Sequence, residues 1–217
     1  MTNRLPDNIP DLLNLISHVY DYRINECGPV ANGVFWSTSD RQTLSYEILL
    51  KAVAPEDLNG PITVNDFGCG YGALFDLLAS TPMMNEGRYV GYDISEKMIT
   101  AAKKRHYDPR AAFITSPIAS DEADYSFVSG TYNMSMGAGR ALWTHYVKTS
   151  LKMLWNMSKK AMAFNILDNK GKKKLPDLYY ADKSEFVAFA KTLSPDIEVI
   201  DDYNPSEFTI IVRRPTV

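Results

Sequence analysis

Cysteine is scarce. Only Cys27 and Cys69 occur in 217 residues, and Cys69 lies inside a glycine-rich stretch. That usage argues against a disulfide framework and for a reducing, cytoplasmic setting. The three histidines form no cluster with metal-ligand spacing, so no metal is expected. No run of about 20 apolar residues occurs and the polar start of the chain lacks a signal-peptide pattern, so neither a membrane span nor a membrane partner is expected. An excess of one charge is missing too. Lysine and arginine total 23 against 26 aspartates and glutamates, a net −3, too mild to call for a polyanion. No basic stripe with interleaved aromatics points to nucleic acid. Internal repeats and low-complexity blocks are absent. What is present is a 45% hydrophobic composition, enough for one globular domain with a full core.

The stretch that organises the chain is Thr63-Val64-Asn65-Asp66-Phe67-Gly68-Cys69-Gly70-Tyr71-Gly72, followed by an apolar run from Ala73 to Leu78. A short strand feeds a glycine turn that opens a helix, so backbone can approach a ligand closely. Gly68, Gly70 and Ala73 satisfy G-x-G-x-x-G/A, a pattern that alone also fits a dinucleotide site. Asp66 separates the two. A carboxylate two positions before the glycines opposes a pyrophosphate at the helix start, whereas it attracts a cationic ammonium and sulfonium. Downstream, Arg88 to Ser95 reads as a strand ending in an acidic residue. Gly72 and Asp93 are 21 positions apart, close to the roughly 20 expected of a carboxylate that takes ribose hydroxyls in a βαβ unit. Ser95 suits the N-cap of a helix over residues 96–105.

These two motifs resemble those of the class I S-adenosylmethionine-dependent methyltransferases, the first over Asp66 to Gly72 and the second over Tyr89 to Ser95. The resemblance in element order runs from about Leu58 to Arg214. It implies an α/β fold: a Rossmann-like three-layer sandwich whose mostly parallel seven-stranded sheet ends in a C-terminal antiparallel hairpin. It implies S-adenosyl-L-methionine as methyl donor and S-adenosyl-L-homocysteine as product. Residues 58–217 form the methyltransferase domain, and residues 1–57 an N-terminal helical cap of the kind the similar enzymes often use as a lid. The competing readings are an NAD(P)-binding oxidoreductase and a non-catalytic S-adenosylmethionine-binding module. A terminal hairpin counts against the first, which needs a second mononucleotide half.

In residues 1–57, Pro10 opens a helix with an apolar stripe down to about Tyr22. The segment from Asn25 to Ser37 reads as irregular. Ser39 or Asp40 then caps a second helix from Arg41 to Val53, stopped by Pro55. Arg41 is a candidate partner for the methionyl carboxylate, since a guanidinium fork pairs bidentately with such a group. His18, in a Ser-His-x-Tyr-x-Tyr run, and Tyr20 are candidate bases, with surface placement and core packing as their plain alternatives.

Beyond Asp93 and Ile94, residues 111–115 make a third strand ending at Ser116, where the resembled family commonly meets the adenine amine with an acidic residue. Here the carboxylates come later, as Asp121 and Glu122. Residues 124–134 read as a fourth strand, with Ser129 and Gly130 small enough for close approach to the methyl donor. The cofactor set is thus Asp66, Gly68, Cys69, Gly70, Asp93 and Ile94 from the motifs, Ser116, Ser129 and Gly130 from later strand ends, and Arg41.

Ser129-Gly130-Thr131-Tyr132 departs from the Asp/Asn-Pro-Pro-Tyr/Phe tetrad of family members that methylate amides or nucleobase amines. No Pro-Cys pair offers the thiolate that pyrimidine carbon methylation needs. A small-molecule acceptor is therefore expected, oxygen slightly ahead of nitrogen and carbon, with His18, Tyr20, Tyr132 and His145 as candidate bases. His145 sits one position off the apolar stripe of a helix over 141–158. An apolar fifth strand (161–167) leads to a run from Asp168 to Lys174, read either as a solvated loop or as an electrostatic gate for an anionic substrate. A helix (182–193) and two strands (197–203 and 208–213) joined by a proline-containing turn end the chain.

Overall fold

The computed structural model describes residues 8–170 and 174–215. Seven strands form one sheet in the order β3-β2-β1-β4-β5-β7-β6. Strands β1 (Thr63–Phe67), β2 (Arg88–Asp93), β3 (Ala111–Thr115), β4 (Ala123–Val128) and β5 (Ser158–Leu167) run parallel. β7 (Glu207–Arg213) inserts antiparallel between β5 and β6 (Ile197–Ile200), so the predicted hairpin closes a mixed sheet. This is the Rossmann-like architecture expected.

Both faces of the sheet are covered, which is why the central strands are apolar almost throughout. One face packs Phe67, Val128, Met162 and Phe164 against α1 (Ile9–Cys27), α5 (Arg140–Asn156) and α6 (Lys183–Leu193). The other packs Val64, Tyr89, Phe127 and Ala163 against α2 (Ser39–Leu50), α3 (Ala73–Leu78) and α4 (Glu96–Arg105). Because every parallel strand ends at the same edge, the loops after β1, β2, β3, β4 and β5 gather there, where open α/β sheets bind ligands.

Boundaries differ from the sequence reading where side-chain contacts carry an element further or stop it. α1 continues past Tyr22 to Cys27, because buried Ile24 packs on Tyr71 and Met98. It ends where Gly28 turns to φ 74°. A short 3-10 turn at Ala31–Val34 interrupts the stretch read as irregular, tied back by Arg23 Nε donating to the Asn32 carbonyl at 3.0 Å. α2 is capped by Thr38, not Ser39 or Asp40: the Thr38 hydroxyl accepts from Arg41 N at 3.2 Å. Ser95 does cap α4, accepting from Met98 N at 3.0 Å. β4 stops at Val128 rather than Met134. Gly130 takes φ 68° and its N–H donates to Asn165 Oδ1 at 2.7 Å, which turns the chain out of the sheet at the ligand edge. β6 ends at Ile200 rather than Tyr203, and β7 begins one residue early, at Glu207. Of the Asp168–Lys174 run, residues 171–173 lie outside the described residues. No helix among the described residues is long and apolar enough to cross a membrane.

Candidate active site

A cavity of about 310 Å³ opens along the C-terminal edge of the parallel strands. Its floor is the glycine loop. Gly68, Gly70 and Gly72 all have positive φ, and the N–H groups of Gly68 and Cys69 both donate to the Tyr92 carbonyl, at 2.7 and 3.0 Å. The loop is thereby stitched to β2. Gly68 is favoured on steric grounds as well, since a Cβ there would lie 2.1 Å from Thr131 Oγ1. That threonine in turn donates to the Phe67 carbonyl at 2.9 Å, fixing the turn after β4 onto β1.

Asp93 ends β2 with its carboxylate held by backbone: Oδ2 accepts from Gly70 N and Oδ1 from Ser95 N, each at 2.8 Å. It is half-buried, with its open side on the cavity. Burial pushes its pKa up to about 6, against the pull of the backbone N–H groups. Ser95 Oγ also donates to Asp21 Oδ1 of α1 at 2.5 Å, so the first helix is latched beside the Asp93 corner. From the same helix Tyr20 lines the cavity, its ring edge-on to Phe35 with centroids 5.6 Å apart. Burial, and then the Asp93 charge, raise the Tyr20 hydroxyl pKa beyond its ordinary value. Ile94, Ser116, Ser129 and Gly130 line the cavity with Gly68, Cys69 and Gly70. Nine of the fourteen residues singled out from sequence therefore meet here.

The other five do not, and each for a visible reason. Asp66 is 2% exposed and faces the α2–α3 side of the sheet, where Tyr89 OH donates to its Oδ2 at 2.5 Å. Strand alternation sends Phe67 to the cavity and its neighbour away from it. Burial pushes the Asp66 pKa up to about 7; the Tyr89 hydrogen bond opposes this and the Asp93 charge adds to it. Arg41 is exposed on the first turn of α2 and does not line the cavity. His18 and His145 project to the surface from α1 and α5. Tyr132 is 1% exposed, donates to Ser150 Oγ at 2.8 Å and packs among Phe67 and Tyr146. It is core. Asp121 does not reach Ser116 either: its carboxylate pairs with Arg88 at 2.8 Å.

The structure also brings to the cavity residues that no motif marks. Gln42 and Tyr46 of α2 form a relay in which Tyr71 OH donates to Gln42 Oε1 at 2.8 Å and Gln42 Nε2 donates to Tyr46 OH at 3.1 Å. Trp36 stands over Gly130, and Trp143 and Met134 add apolar wall. Glu207 closes the far end. None of the described residues lining the cavity is a lysine, arginine or histidine.

Comparison with known proteins agrees with this geometry. A methyltransferase-domain family model matches residues 64–160, from β1 into β5. The chain is 36% identical over 159 residues to the Mycobacterium tuberculosis protein named "Putative methyltransferase Rv1506c", covering 71% of this chain and 94% of that one. Among solved structures, the DhpI complex with SAH superposes with TM-score 0.65 at 15% identity, covering 94% of this chain and 97% of that one. The magnesium protoporphyrin IX methyltransferase ChlM of Synechocystis PCC 6803, with bound SAM, gives 0.58 at 17% identity over 81% and 80%. The glycine loop, the carboxylate ending β2, the strand order and these likenesses together make the chain a member of the class I S-adenosylmethionine-dependent methyltransferases.

Proposed function

We propose that the protein transfers a methyl group to a small-molecule acceptor held in the part of the cavity beyond β4, with the methyl donor along the β1–β2–β3 side. The observation that carries this reading is the single cavity that joins the Asp93 corner to the residues past Ser129 and Gly130. The donor side fits an adenosyl sulfonium compound by its donor set. Each Asp93 oxygen keeps a lone pair free beside its backbone N–H and can accept a ribose hydroxyl. The loop presents close backbone at Gly68 and Gly70, and no cationic side chain among the described lining residues opposes the sulfonium.

When bound, the donor supplies a methyl carbon activated by a positively charged sulfur. The chain's contribution is placement and exclusion of water. Such positioning supplies several kcal/mol in reactions of this kind. Tyr20, Leu13 and Ile16 of α1 and the 34–37 segment roof the cavity, which supports the reading of residues 1–57 as a cap. Ile94 and Ser116 stand on the adenine side, and Ser129 and Gly130 on the reacting side. Oxygen, nitrogen and carbon acceptors stay open, oxygen slightly ahead, and of the four candidate bases only Tyr20 lines the cavity. Two free cysteines agree with a cytoplasmic setting.

The test is calorimetric titration with S-adenosylhomocysteine, alongside an Asp93→Ala variant. Expected is saturable binding that the variant loses. No heat with the intact protein, or unchanged affinity in the variant, overturns the assignment.

A further inference from the structure

Two carboxylates, Asp93 and Glu207, stand among the described residues that line the cavity. Glu207 opens β7 opposite Leu167 at the end of β5 and is 4% exposed. Asp93 ends β2, and strands β1, β4 and β5 lie between it and β7, so the two strand ends stand ~19 Å apart at one strand spacing per step. One small group cannot touch both. Glu207 Oε1 accepts from Ser45 Oγ at 3.0 Å. Burial raises its pKa all the same, and the charge of exposed Arg41 only opposes that rise.

A carboxylate buried away from water is costly unless a cation joins it, yet no described basic residue lines the cavity. The cavity lining includes Trp36, Trp143 and Tyr146, and aromatic ring faces favour a cation. Resting on the methyltransferase reading above, we propose that Glu207 anchors a protonated amine on the methyl acceptor, so that the substrate class is amine-bearing and not anionic. The carboxylate acts by binding: it orients the acceptor, and the methylated atom lies nearer β4.

The experiment uses the intact protein saturated with S-adenosylhomocysteine and titrates benzylamine, benzyl alcohol and benzoate, three probes of one size that differ in head group. Quenching of the cavity tryptophans reports binding. Expected is benzylamine about tenfold tighter than benzyl alcohol, with benzoate weakest, as a charged hydrogen bond provides. In Glu207→Gln, which keeps the Ser45 bond, the preference for benzylamine disappears while S-adenosylhomocysteine affinity stays within about twofold. That second measurement also shows that the variant is folded. Benzoate binding as well as benzylamine, no saturable benzylamine binding, or an unchanged ranking in the variant overturns the proposal. A variant with about tenfold weaker S-adenosylhomocysteine binding overturns it too, by placing the carboxylate on the cofactor. If the wild-type protein does not bind S-adenosylhomocysteine, both this proposal and the reading beneath it fall.

Discussion

Cofactor affinity should fall in mild acid, and the reason lies in one side chain. Asp93 has its pKa pushed up to about 6 by burial in the free protein. Two ribose hydroxyls donating to the carboxylate stabilise its charged form and lower the pKa in the complex. The complex therefore binds fewer protons than the free protein, and affinity is full above about pH 6 and lost as pH falls through that value. At about pH 7 roughly nine-tenths of the free carboxylates are ionised, and at about pH 5 roughly one-tenth, which weakens binding about tenfold, or ~1.4 kcal/mol. Over that interval the charge of S-adenosylhomocysteine hardly changes, because its carboxylate titrates near 3.5 and its amine near 8. Calorimetric titrations at half-unit steps give the profile. Asp93→Asn should bind more weakly at neutral pH and show no such slope. Asp66→Asn should keep it, because that side chain does not face the cavity. A wild-type affinity that is level between about pH 5 and about pH 7, or a slope that survives in Asp93→Asn, would refute the reasoning.

Asp66 should instead control stability. Its folded pKa of about 7 exceeds the unfolded value near 3.9, so stability is full below the unfolded value and lost as pH rises toward 7. Asparagine can still accept from Tyr89, so Asp66→Asn should gain up to about 4 kcal/mol at pH 8 by urea unfolding, less the cost of its buried amide N–H groups, and flatten that decline. Gly68→Ala forces a Cβ to 2.1 Å from Thr131 Oγ1 at φ 79° and should cost ~2–3 kcal/mol in thermal or chemical unfolding. Gly60→Ala, with nothing within 4 Å of the new Cβ, should cost far less. Tyr132→Phe removes the buried bond to Ser150 and should lose about 1 kcal/mol of stability. Its S-adenosylhomocysteine affinity should nonetheless stay unchanged in the same preparation, whereas a catalytic or cofactor contact would also alter binding or turnover.

The legible parts of this molecule are those whose chemistry is local in the chain. Gly68, Gly70 and Asp93 can be read because a strand, a turn and a cap dictate residue types over a few positions, and the N–H of Gly70 does reach the Asp93 carboxylate as that spacing requires. Asp66 shows the limit. Its charge and place in the motif are plain, but whether a strand residue faces a ligand or a core depends on register, and one position of alternation sends it to Tyr89 instead. Tyr132 eludes the sequence for a related reason, since β4 ends six residues before the pattern suggests and the turn at Gly130 redirects the chain beyond it. Glu207 has no local signal at all. It reads as the last residue of a proline-containing turn, and only the insertion of β7 beside β5 carries it to the cavity. On the proposed reading the donor side of the site is written in contiguous residues, and the acceptor side is assembled from α2, the turn after β4 and the start of β7. A donor common to a whole family can be recognised by a fixed motif, whereas an acceptor is distinguished by contacts contributed from segments free to vary independently. The proposal for Glu207 places acceptor specificity in a residue of this second kind.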